Sequence, residues 1–359
     1  MTHAALMTTR RAAVVGTGLI GGSIGLALRR RGWHVAGQDR DSATAARALE
    51  VGALDAVGPD PRAEVTFLAT PVRAVAEAAR AALAEGDGIV TDVGSVKATI
   101  VDAVADARFI GGHPMAGSEQ DGIDGADADL FAGAVWVLTP TGTTDDADFA
   151  RLRSVITELG ADVVALAPEH HDALVAVVSH VPHLTAASLM RMADERSTEH
   201  RALLRLAAGG FRDMTRIASG HPGIWPDICA ENRTAIVDVL DGLLTSLTEV
   251  RAIVAGGDRD GLLTILERAR TARANIPSRL SGAGDLCEVR VPVPDRAGVL
   301  AEVTTLAGTL DVNIADLEIA HSSEGDRGVL ILVVEATAAE RLRRGLAAQG
   351  YRPSVTPLE

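Results

Sequence analysis

The chain has 359 residues, too many for one compact core, and this length predicts two or three domains. Hydrophobic residues make up 47% and charged residues 23%, a balance typical of globular proteins and not of disordered ones. The formal net charge of −14 argues against a nucleic-acid partner, because phosphate backbones select basic surfaces. A small anionic substrate stays compatible with it, since such a substrate needs only a few local cations.

The cysteines and the chain start indicate the compartment. Cys229 and Cys287 lie far apart and show neither metal-ligand spacing nor a disulfide framework. Residues 1–10 read as a flexible polar tail without the apolar run of a signal peptide, and no stretch approaches the roughly 20 apolar residues that span a bilayer. We therefore expect a soluble, cytoplasmic protein with no metal, membrane or nucleic-acid partner.

Residues 11–168 alternate between short β-branched runs and alanine-rich helical patterns such as 19–31 and 72–85. This alternation predicts a parallel sheet with helices on both faces, a Rossmann-like α/β nucleotide-binding domain. The predicted strands are Ala12–Gly16, His34–Asp39, Val65–Thr70, Gly88–Val93, Arg108–Gly112, Ala134–Thr139 and Asp162–Ala167.

A glycine-rich turn follows the first predicted strand and opens the first helix. Gly16 permits a tight turn, Gly18 lets the backbone approach a pyrophosphate, and Gly21 allows close helix–strand packing. The phosphates would then meet the free N–H groups at the positive end of the helix. The whole turn reads Gly16-Thr17-Gly18-Leu19-Ile20-Gly21.

Asp39, at the end of the second predicted strand, supports a nucleotide at this turn. Its carboxylate can accept hydrogen bonds from ribose hydroxyls, which favours NAD over NADP. Arg40 would accommodate a 2′-phosphate, so NADP stays an alternative. With Thr70 as a further cofactor-binding residue, the sequence predicts a nicotinamide-dependent dehydrogenase; the competing interpretation is a glycine-rich turn without a nucleotide.

His113 is the candidate general base. Hydride transfer from an alcohol requires the hydroxyl proton to leave in step, and a neutral histidine suits that task. It follows Gly111 and Gly112 at the end of a strand, where open α/β sheets bind ligands, and we expect the glycines to leave room for one. A packed loop histidine is the alternative.

Ser95 and Lys97 leave the neighbouring strand end. Ser95 could hydrogen-bond both the substrate hydroxyl and His113, or act as an ordinary helix N-cap. Lys97 is the only lysine in the chain and offers a point charge for a substrate carboxylate.

Residues 169–280 change to helical spacing and predict an all-α substrate and dimerisation domain. Ser179 and His183 lie one turn apart with His180 beside Ser179; a metal is disfavoured because no carboxylate has ligand spacing. Asp213 could orient Arg216 for a bidentate grip on a carboxylate, although a surface ion pair is the simpler interpretation. An apolar stripe that needs a partner surface, which predicts a homodimer, consists of Ile236, Leu240, Leu243, Leu244 and Leu247.

After a linker at residues 281–284, residues 284–359 predict a separate module. Strands at 286–293, 312–320, 328–336 and 351–355 alternate with helices at 297–309 and 338–349. This βαββαβ order is that of a compact α+β ferredoxin-like domain.

Several sequence blocks together resemble the prephenate/arogenate dehydrogenases of tyrosine biosynthesis. Trp225 follows them in a helix, and residues 294–300 (PDRAGVL) resemble an ACT domain, a module that commonly binds amino acids. The blocks are GTGLIGGS at 16–23, TDVGSVK at 91–97, GGHPMAGSE at 111–119, VVSHVPH at 177–183 and GGFRDMTRIA at 209–218.

The resemblance implies the oxidative decarboxylation of prephenate to 4-hydroxyphenylpyruvate, CO2 and NADH. It gives His113 the role of drawing off the hydroxyl proton, Ser95 that of orienting His113, and Arg216 that of binding substrate carboxylate. Arogenate, which carries an ammonium where prephenate has a keto group, stays an alternative substrate. Further residues carried over as pocket residues are Lys97, Ser179, His180, His183 and Glu119, with Asp213 beside Arg216.

The ACT resemblance implies feedback regulation by tyrosine, although the module could serve only assembly. Two other functions compete with the dehydrogenase. A β-hydroxyacid dehydrogenase typically needs a catalytic lysine beyond Lys97, and there is none. A redox sensor that binds NAD and an amino acid would need neither His113 nor Arg216. The predicted effector site consists of Asp295, Ala297, Gly298, Val299 and Leu300.

Overall fold

The computed structural model describes residues 9–118, 120–197, 203–276, 286–294, 296–321 and 327–357. The chain divides into two compact units, Met1–Ala252 and Ile253–Glu359. Each unit has its own sheet and its own core, and each is described by itself below.

The first unit is built on an eight-stranded sheet in the order β3-β2-β1-β4-β5-β6-β7-β8. Chain order reverses between β1 and β4, which is where open α/β sheets form their ligand crevice. The strands are β1 (Arg11–Val15), β2 (His34–Gln38), β3 (Ala56–Val57), β4 (Val65–Leu68), β5 (Ile89–Asp92), β6 (Phe109–Pro114), β7 (Val135–Thr139) and β8 (Asp162–Ala165). The helices between them are α1 (Leu19–Arg30), α2 (Ser42–Glu50), α3 (Val72–Glu85), α4 (Ala98–Val104) and α5 (Asp146–Glu158).

The predicted Rossmann-like fold is confirmed, but the prediction of a wholly parallel sheet is wrong at one pair. β6 and β7 run antiparallel. The connection between them, residues 115–134, contains a short 3₁₀ turn at Ile123–Gly125 and no α-helix, whereas a parallel pair requires a crossover segment that is usually a helix. The two-residue strand β3 was also not predicted, because it is too short to show a pattern.

Two neighbouring strands of this sheet, β5 and β6, are buried from end to end. All residues of β5 and of β6 are buried, including the polar Asp92 and His113. Strands covered on both faces read as continuous rather than alternating apolar runs. A buried polar residue in such a strand therefore needs a partner inside the protein, and this requirement organises the site.

Helices take over after β8. The first two, α6 (Pro168–Val175) and α7 (Val181–Ser197), are joined without a break by a π-helical turn at Ala176–His180. Single π turns inside α-helices occur often at functional sites. The remaining helices are α8 (Gly209–Thr215), α9 (Trp225–Glu231), α10 (Arg233–Gly256) and α11 (Arg259–Ala274).

The continuous helix at Pro168–Ser197 passes a length-and-composition test for a membrane span, with a mean hydropathy of 1.5. The expectation that no stretch reaches spanning length was therefore wrong on that criterion. The same helix carries His171, Asp172 and His180, which hydrogen-bond to β6, α4 and Asn232. These bonds attach one face of the helix to the rest of the first unit, while 28% of its apolar window is buried.

The second unit contains α11 and a βαββαβ module with an antiparallel sheet in the order β10-β11-β9-β12. Its core is separate from that of the first unit and includes Val289, Leu332 and Leu342. The predicted α+β class and element order are confirmed, while the predicted linker at 281–284 lies outside the described residues. The elements are β9 (Leu286–Pro294), α12 (Val299–Thr309), β10 (Ile314–His321), β11 (Arg327–Glu335), α13 (Ala336–Ala348) and β12 (Ser354–Pro357).

Candidate active site

The glycine-rich turn joins β1 to α1 at the switch point of the sheet. Gly16 has φ +90°, and a Cβ there would collide with the carbonyl oxygen of Ala69. A Cβ on Gly21 would collide with the carbonyl oxygen of Gly16. A Cβ on Gly18 would meet no atom within 4 Å, so open space lies next to this residue. The fold itself thus requires Gly16 and Gly21, whereas Gly18 leaves room for an outside group.

Three further features fit a dinucleotide at this turn. No side chain caps the N-terminus of α1, so its first N–H groups are available to phosphates. The buried hydroxyl of Thr70 has no hydrogen-bond partner among the described residues. The Oδ2 atom of Asp39 accepts a hydrogen bond from the backbone N–H of Thr17 at 2.8 Å, which holds the turn, and Arg40 beside it is exposed. The contacts of these residues with a cofactor stay predictions.

His113 lies on β6, the strand between β5 and β7 in the sheet. A Cβ on Gly111 would collide with Oγ1 of Thr139, and a Cβ on Gly112 would lie 2.6 Å from the carbonyl oxygen of Asp92. The packing of the neighbouring strands therefore already requires both glycines. That they also leave room for a ligand stays a prediction.

A chain of three buried polar side chains starts at His113. Its Nδ1 lies 2.8 Å from Nε2 of His171, and Nδ1 of His171 lies 2.8 Å from Oδ1 of Asp172. His171 is fully buried, and His113 is 9% exposed. The recorded hydrogen bond of His113 uses Nδ1, so Nε2 is left for a substrate.

The surroundings keep His113 neutral near pH 7. Burial is the largest cause that lowers the pKa of His113 well below its usual 6.5, and the positive charges available to His171, Lys97 and His180 lower it further. A neutral imidazole can accept a proton, as a general base must.

Lys97 is fully buried, and its ammonium contacts Oδ2 of Asp92. Burial lowers the pKa of Lys97, and the Asp92 carboxylate opposes this effect. Asp92 also accepts the backbone N–H groups of Gly94 at 2.8 Å and Gly112 at 3.1 Å. The only lysine of the chain therefore already has a carboxylate partner within the protein, and its predicted contact with substrate stays untested.

Ser95 is half-buried and has no recorded hydrogen bond with any described residue. It is not an N-cap, contrary to the simpler interpretation above, because Lys97 holds that position. Asp172 caps α4 instead, accepting the N–H groups of Lys97 at 2.8 Å and of Ala98 at 2.9 Å. The partner that the structure gives to His113 is His171, while an orienting role for Ser95 stays a prediction.

His180 joins the same buried network from the π turn. The side-chain amide of Asn232 contacts the carbonyl oxygen of Asp172 at 2.8 Å and Nδ1 of His180 at 3.2 Å. Burial lowers the pKa of His180 to about 4. Its Nε2 is buried without a partner among the described residues, and since Nδ1 accepts from the amide, Nε2 carries the proton. It is a donor available to a ligand.

Four more predicted pocket residues belong to the helical region: His183, Ser179, Asp213 and Arg216. His183 stacks on Trp225 with ring centroids 3.7 Å apart, and burial lowers its pKa. Ser179 is half-buried in the π turn, whereas Asp213 and Arg216 are exposed around the end of α8. Glu119 lies outside the described residues.

Sequence reasoning missed four residues of this network, namely Asp92, His171, Asp172 and Asn232. The best available signal was the His171–Asp172 pair, which follows the last strand of the α/β region by a few residues. His171 and Asp172 belong to a run of four ionisable residues, 169–172, and the sequence does not show which of the four are buried. The sequence does not show the geometry of the helix. A regular α-helix turns by about 100° per residue, so His171 and His180, nine residues apart, would lie on opposite sides of it. The π turn changes this rotation and brings the two histidines closer.

The second unit contains a groove of about 1040 Å³, lined by the end of β9, by α12 with the turn before it, and by residues 349–352 after α13. Gly298 lines it with φ +89° and no atom within 4 Å of a would-be Cβ. Arg296 and Glu302, also in the lining, form a two-pronged ion pair at 2.8 and 2.7 Å. Ala297, Val299 and Leu300 are not part of the lining, and Asp295 lies outside the described residues.

Comparison with known proteins identifies relatives over most of the chain. Residues 24–165 match the family model for the prephenate dehydrogenase nucleotide-binding domain, and residues 167–268 match that for the prephenate dehydrogenase dimerization domain. A prephenate dehydrogenase from Bacillus subtilis (strain 168) is 34% identical over 334 residues, which cover 88% of this chain and 90% of the relative.

Two solved structures are similar across the same region. The prephenate dehydrogenase from A. aeolicus in complex with hydroxyphenyl propionate and NAD+ superposes with a TM-score of 0.70 at 30% identity, covering 76% of this chain and 100% of that one. The Synechocystis arogenate dehydrogenase gives a TM-score of 0.66 at 33% identity, covering 73% and 98%.

Proposed function

The chain belongs to the prephenate dehydrogenase family, and on that premise we propose that it catalyses the NAD-dependent oxidative decarboxylation of prephenate. The products are 4-hydroxyphenylpyruvate, CO2 and NADH. The observation that carries the proposal is His113, a buried imidazole that is neutral near pH 7, tethered at Nδ1 and free at Nε2.

The two parts of the site divide the chemistry. The turn that ends in Gly21 would hold NAD, which would supply the acceptor for the hydride on the ring carbon that carries the hydroxyl group. His113 accepts the hydroxyl proton at Nε2. Ser95, beside the end of β5, is proposed to hydrogen-bond the same hydroxyl group when substrate is present.

Residues of the helical region after β8 are proposed to bind the negative charges of the substrate. Prephenate is a dianion, and the exposed guanidinium of Arg216, which follows α8, is suited to a bidentate contact with carboxylate. Nε2 of His180, which has no hydrogen-bond partner among the described residues, is proposed as another donor to the substrate. Replacing Arg216 with Ala should raise KM for prephenate at least tenfold and leave the Kd for NAD near that of the wild type.

Turnover of His113→Asn tests the general base. Its kcat should fall by about 10²–10⁴-fold with a nearly unchanged KM, as loss of a general base predicts. The assay follows NADH absorbance after addition of prephenate, and parallel assays with arogenate and with NADP+ decide substrate and cofactor. A chain that only senses NAD would give no signal, and wild-type turnover in His113→Asn would contradict the assignment.

We also propose a homodimer formed through the helical region. The predicted apolar stripe on α10 has two parts: Ile236 is buried, whereas Leu244 and Leu247 are 61% and 53% exposed. Exposed apolar residues in a row are typical of an interface. Light scattering should give twice the chain mass, and the double variant Leu244→Glu/Leu247→Glu should give the mass of a monomer.

Tyrosine is proposed as an effector that binds the groove of the second unit. Gly298 leaves open space beside a turn, and an amino acid would exchange the ion pair between Arg296 and Glu302 for contacts of these side chains with its own carboxylate and ammonium. Calorimetry with tyrosine on the intact enzyme tests this, with phenylalanine as the control. A module that serves only assembly would give no heat of binding.

Cytoplasmic localisation is proposed from the thiols. Cys229 and Cys287 are both free, which fits a reducing compartment. Cell fractionation with activity assays tests it.

A further inference from the structure

We propose that His171, supported by Asp172, is a positioning residue that holds His113 in the tautomer with a proton on Nδ1 and a lone pair on Nε2. The inference rests on the proposed function for its kinetic consequence, while the tautomer itself is a property of the protein alone. It assigns a role to two side chains that do not touch the substrate.

The donor and acceptor roles in the hydrogen-bonded row Asp172–His171–His113 follow from Asp172. Each oxygen of its carboxylate accepts a backbone N–H from the start of α4, at 2.8 Å and 2.9 Å. Hydrogen bonds of this kind favour the ionised carboxylate, which can only accept. The contact at 2.8 Å between Oδ1 and Nδ1 of His171 therefore requires the proton to lie on Nδ1 of His171.

The tautomer of His113 follows from that of His171. A neutral His171 with a proton on Nδ1 has a lone pair on Nε2, which lies 2.8 Å from Nδ1 of His113. Two lone pairs at that distance would repel, so Nδ1 of His113 carries the proton and donates it. Nε2 of His113 then has the lone pair that a general base needs.

Burial makes this arrangement costly to break. His171 has no exposed surface and Asp172 is 5% exposed, so water cannot replace a lost partner. Asn232 holds the carbonyl oxygen of Asp172, and α4 holds its carboxylate, so the support for His171 is fixed at several points. Charged and polar groups facing the pair come from β5 (Asp92), the turn after it (Lys97) and the π turn (His180).

The reaction returns the proton that His113 accepts. The three buried side chains therefore need no path for releasing a proton to solvent. Once the hydride has left the ring carbon, the O–H bond breaks, the proton passes to Nε2, and a C=O bond forms. Loss of CO2 breaks the bond between ring and carboxylate, and its electron pair reaches the oxygen as the ring becomes aromatic. That oxygen takes the proton back from Nε2, so no net proton is released. In between, the positive charge on His113 is stabilised through His171 by Asp172.

The direct test is the tautomer of His113 in the wild-type protein labelled with ¹⁵N-histidine. Two-bond and three-bond correlations from the ring carbons identify which nitrogen carries the proton, and His113→Asn assigns the signals. We expect a protonated Nδ1 and an unprotonated Nε2 near pH 7.5. A protonated Nε2 would overturn the proposal, whatever the enzyme turns over.

Kinetics of paired variants supply the second test. His171→Leu should lower kcat by about 10–100-fold, with KM for prephenate and the Kd for NAD near wild-type values, and should shift the His113 signals toward the other tautomer. His171→Gln has an oxygen that can accept from Nδ1 of His113 and should recover most of kcat. The matched control is His170→Leu, the same change one residue earlier at an exposed position, which should behave as wild type.

The outcomes separate the two proposals. Equal kcat in His171→Leu and wild type would contradict the positioning role while leaving the proposed function intact. No turnover of prephenate by the wild type, together with the expected tautomer, would contradict the proposed function alone. Should His171→Leu fail to fold, the labelled wild type and His171→Gln still decide the question.

Discussion

Lys97 and Asp92 form a fully buried ion pair at the centre of the first unit. Removing one partner of such a pair leaves an uncompensated charge and typically costs about 3–5 kcal/mol. We expect Lys97→Met to lose about that much free energy of unfolding in urea titrations. The double variant Asp92→Asn/Lys97→Met should recover most of it, because no charge remains buried.

A surface pair provides the control for this prediction. Arg30 and Asp129 also form an ion pair, at 2.7 Å, with side chains 56% and 65% exposed. Solvent and salt screen an exposed ion pair, so Arg30→Met should change the free energy of unfolding little. Equal losses in Lys97→Met and Arg30→Met would contradict the assignment of a buried pair.

The buried histidines predict how stability depends on pH. The pKa values of His113 and His180 in the folded state lie below 6.5, and that of His180 is about 4. Between the folded-state pKa and 6.5, the unfolded chain therefore binds more protons than the folded one. Their contribution to the free energy of unfolding is therefore complete above pH 6.5 and falls as the pH drops toward 4, by roughly 3 kcal/mol for His180. Urea titrations at several pH values measure the slope. His180→Asn should flatten it, whereas replacement of exposed His170 should not.

At the scale of the element, the strand–turn–helix unit at the cofactor site offers a contrast between two glycines. In Gly18→Ala the new methyl group meets no protein atom, so the melting temperature should stay within about 2 °C of wild type while the Kd for NAD rises at least tenfold. In Gly21→Ala the methyl group collides with the carbonyl oxygen of Gly16, so stability and NAD binding should both fall. Thermal unfolding and calorimetric titration measure the two effects. Unchanged NAD affinity in Gly18→Ala would show that the pyrophosphate does not approach there.

The elements also show what sequence could and could not predict. Strands such as β1 and β4 were found because buried parallel strands read as apolar runs between glycine and helix signals. The direction of β7 was missed because no local pattern distinguishes an antiparallel strand from a parallel one, and only the missing crossover helix reveals it. Element boundaries differed by one to three residues, as at β12.

The site divides in the same way. His113 was predictable because it stands at a strand end in a glycine-flanked block, which is local information. Its partnership with His171 was not, because 58 residues separate them and the π turn that fixes the helix phase leaves no recognisable pattern. Lys97 was correctly recognised as unusual from the sequence. Its burial, however, depends on the ion pair with Asp92, and this position of Asp92 is known only once β5 and β6 are paired.

At the scale of the whole molecule, the two compact units predict separable folding. The second unit has its own four-stranded sheet and an apolar core that includes Val291, Leu330 and Leu346. A fragment of residues 284–359 should therefore unfold in one cooperative transition when followed by circular dichroism. A fragment that shows no transition would mean that this module needs the rest of the chain, and the βαββαβ pattern alone would then be insufficient for folding.

The burial of Lys97 has a practical consequence for chemical probes. The folded chain presents no lysine to an amine-reactive reagent, because its only one is fully buried. Acylation at Nζ therefore requires the region around β5 to open. Mass spectrometry of the peptide that contains Lys97 gives the rate of labelling, and this rate measures how often the region opens. With reagent in excess, the mass increment of the peptide that contains Lys97 would report openings of the native state without any engineered tag.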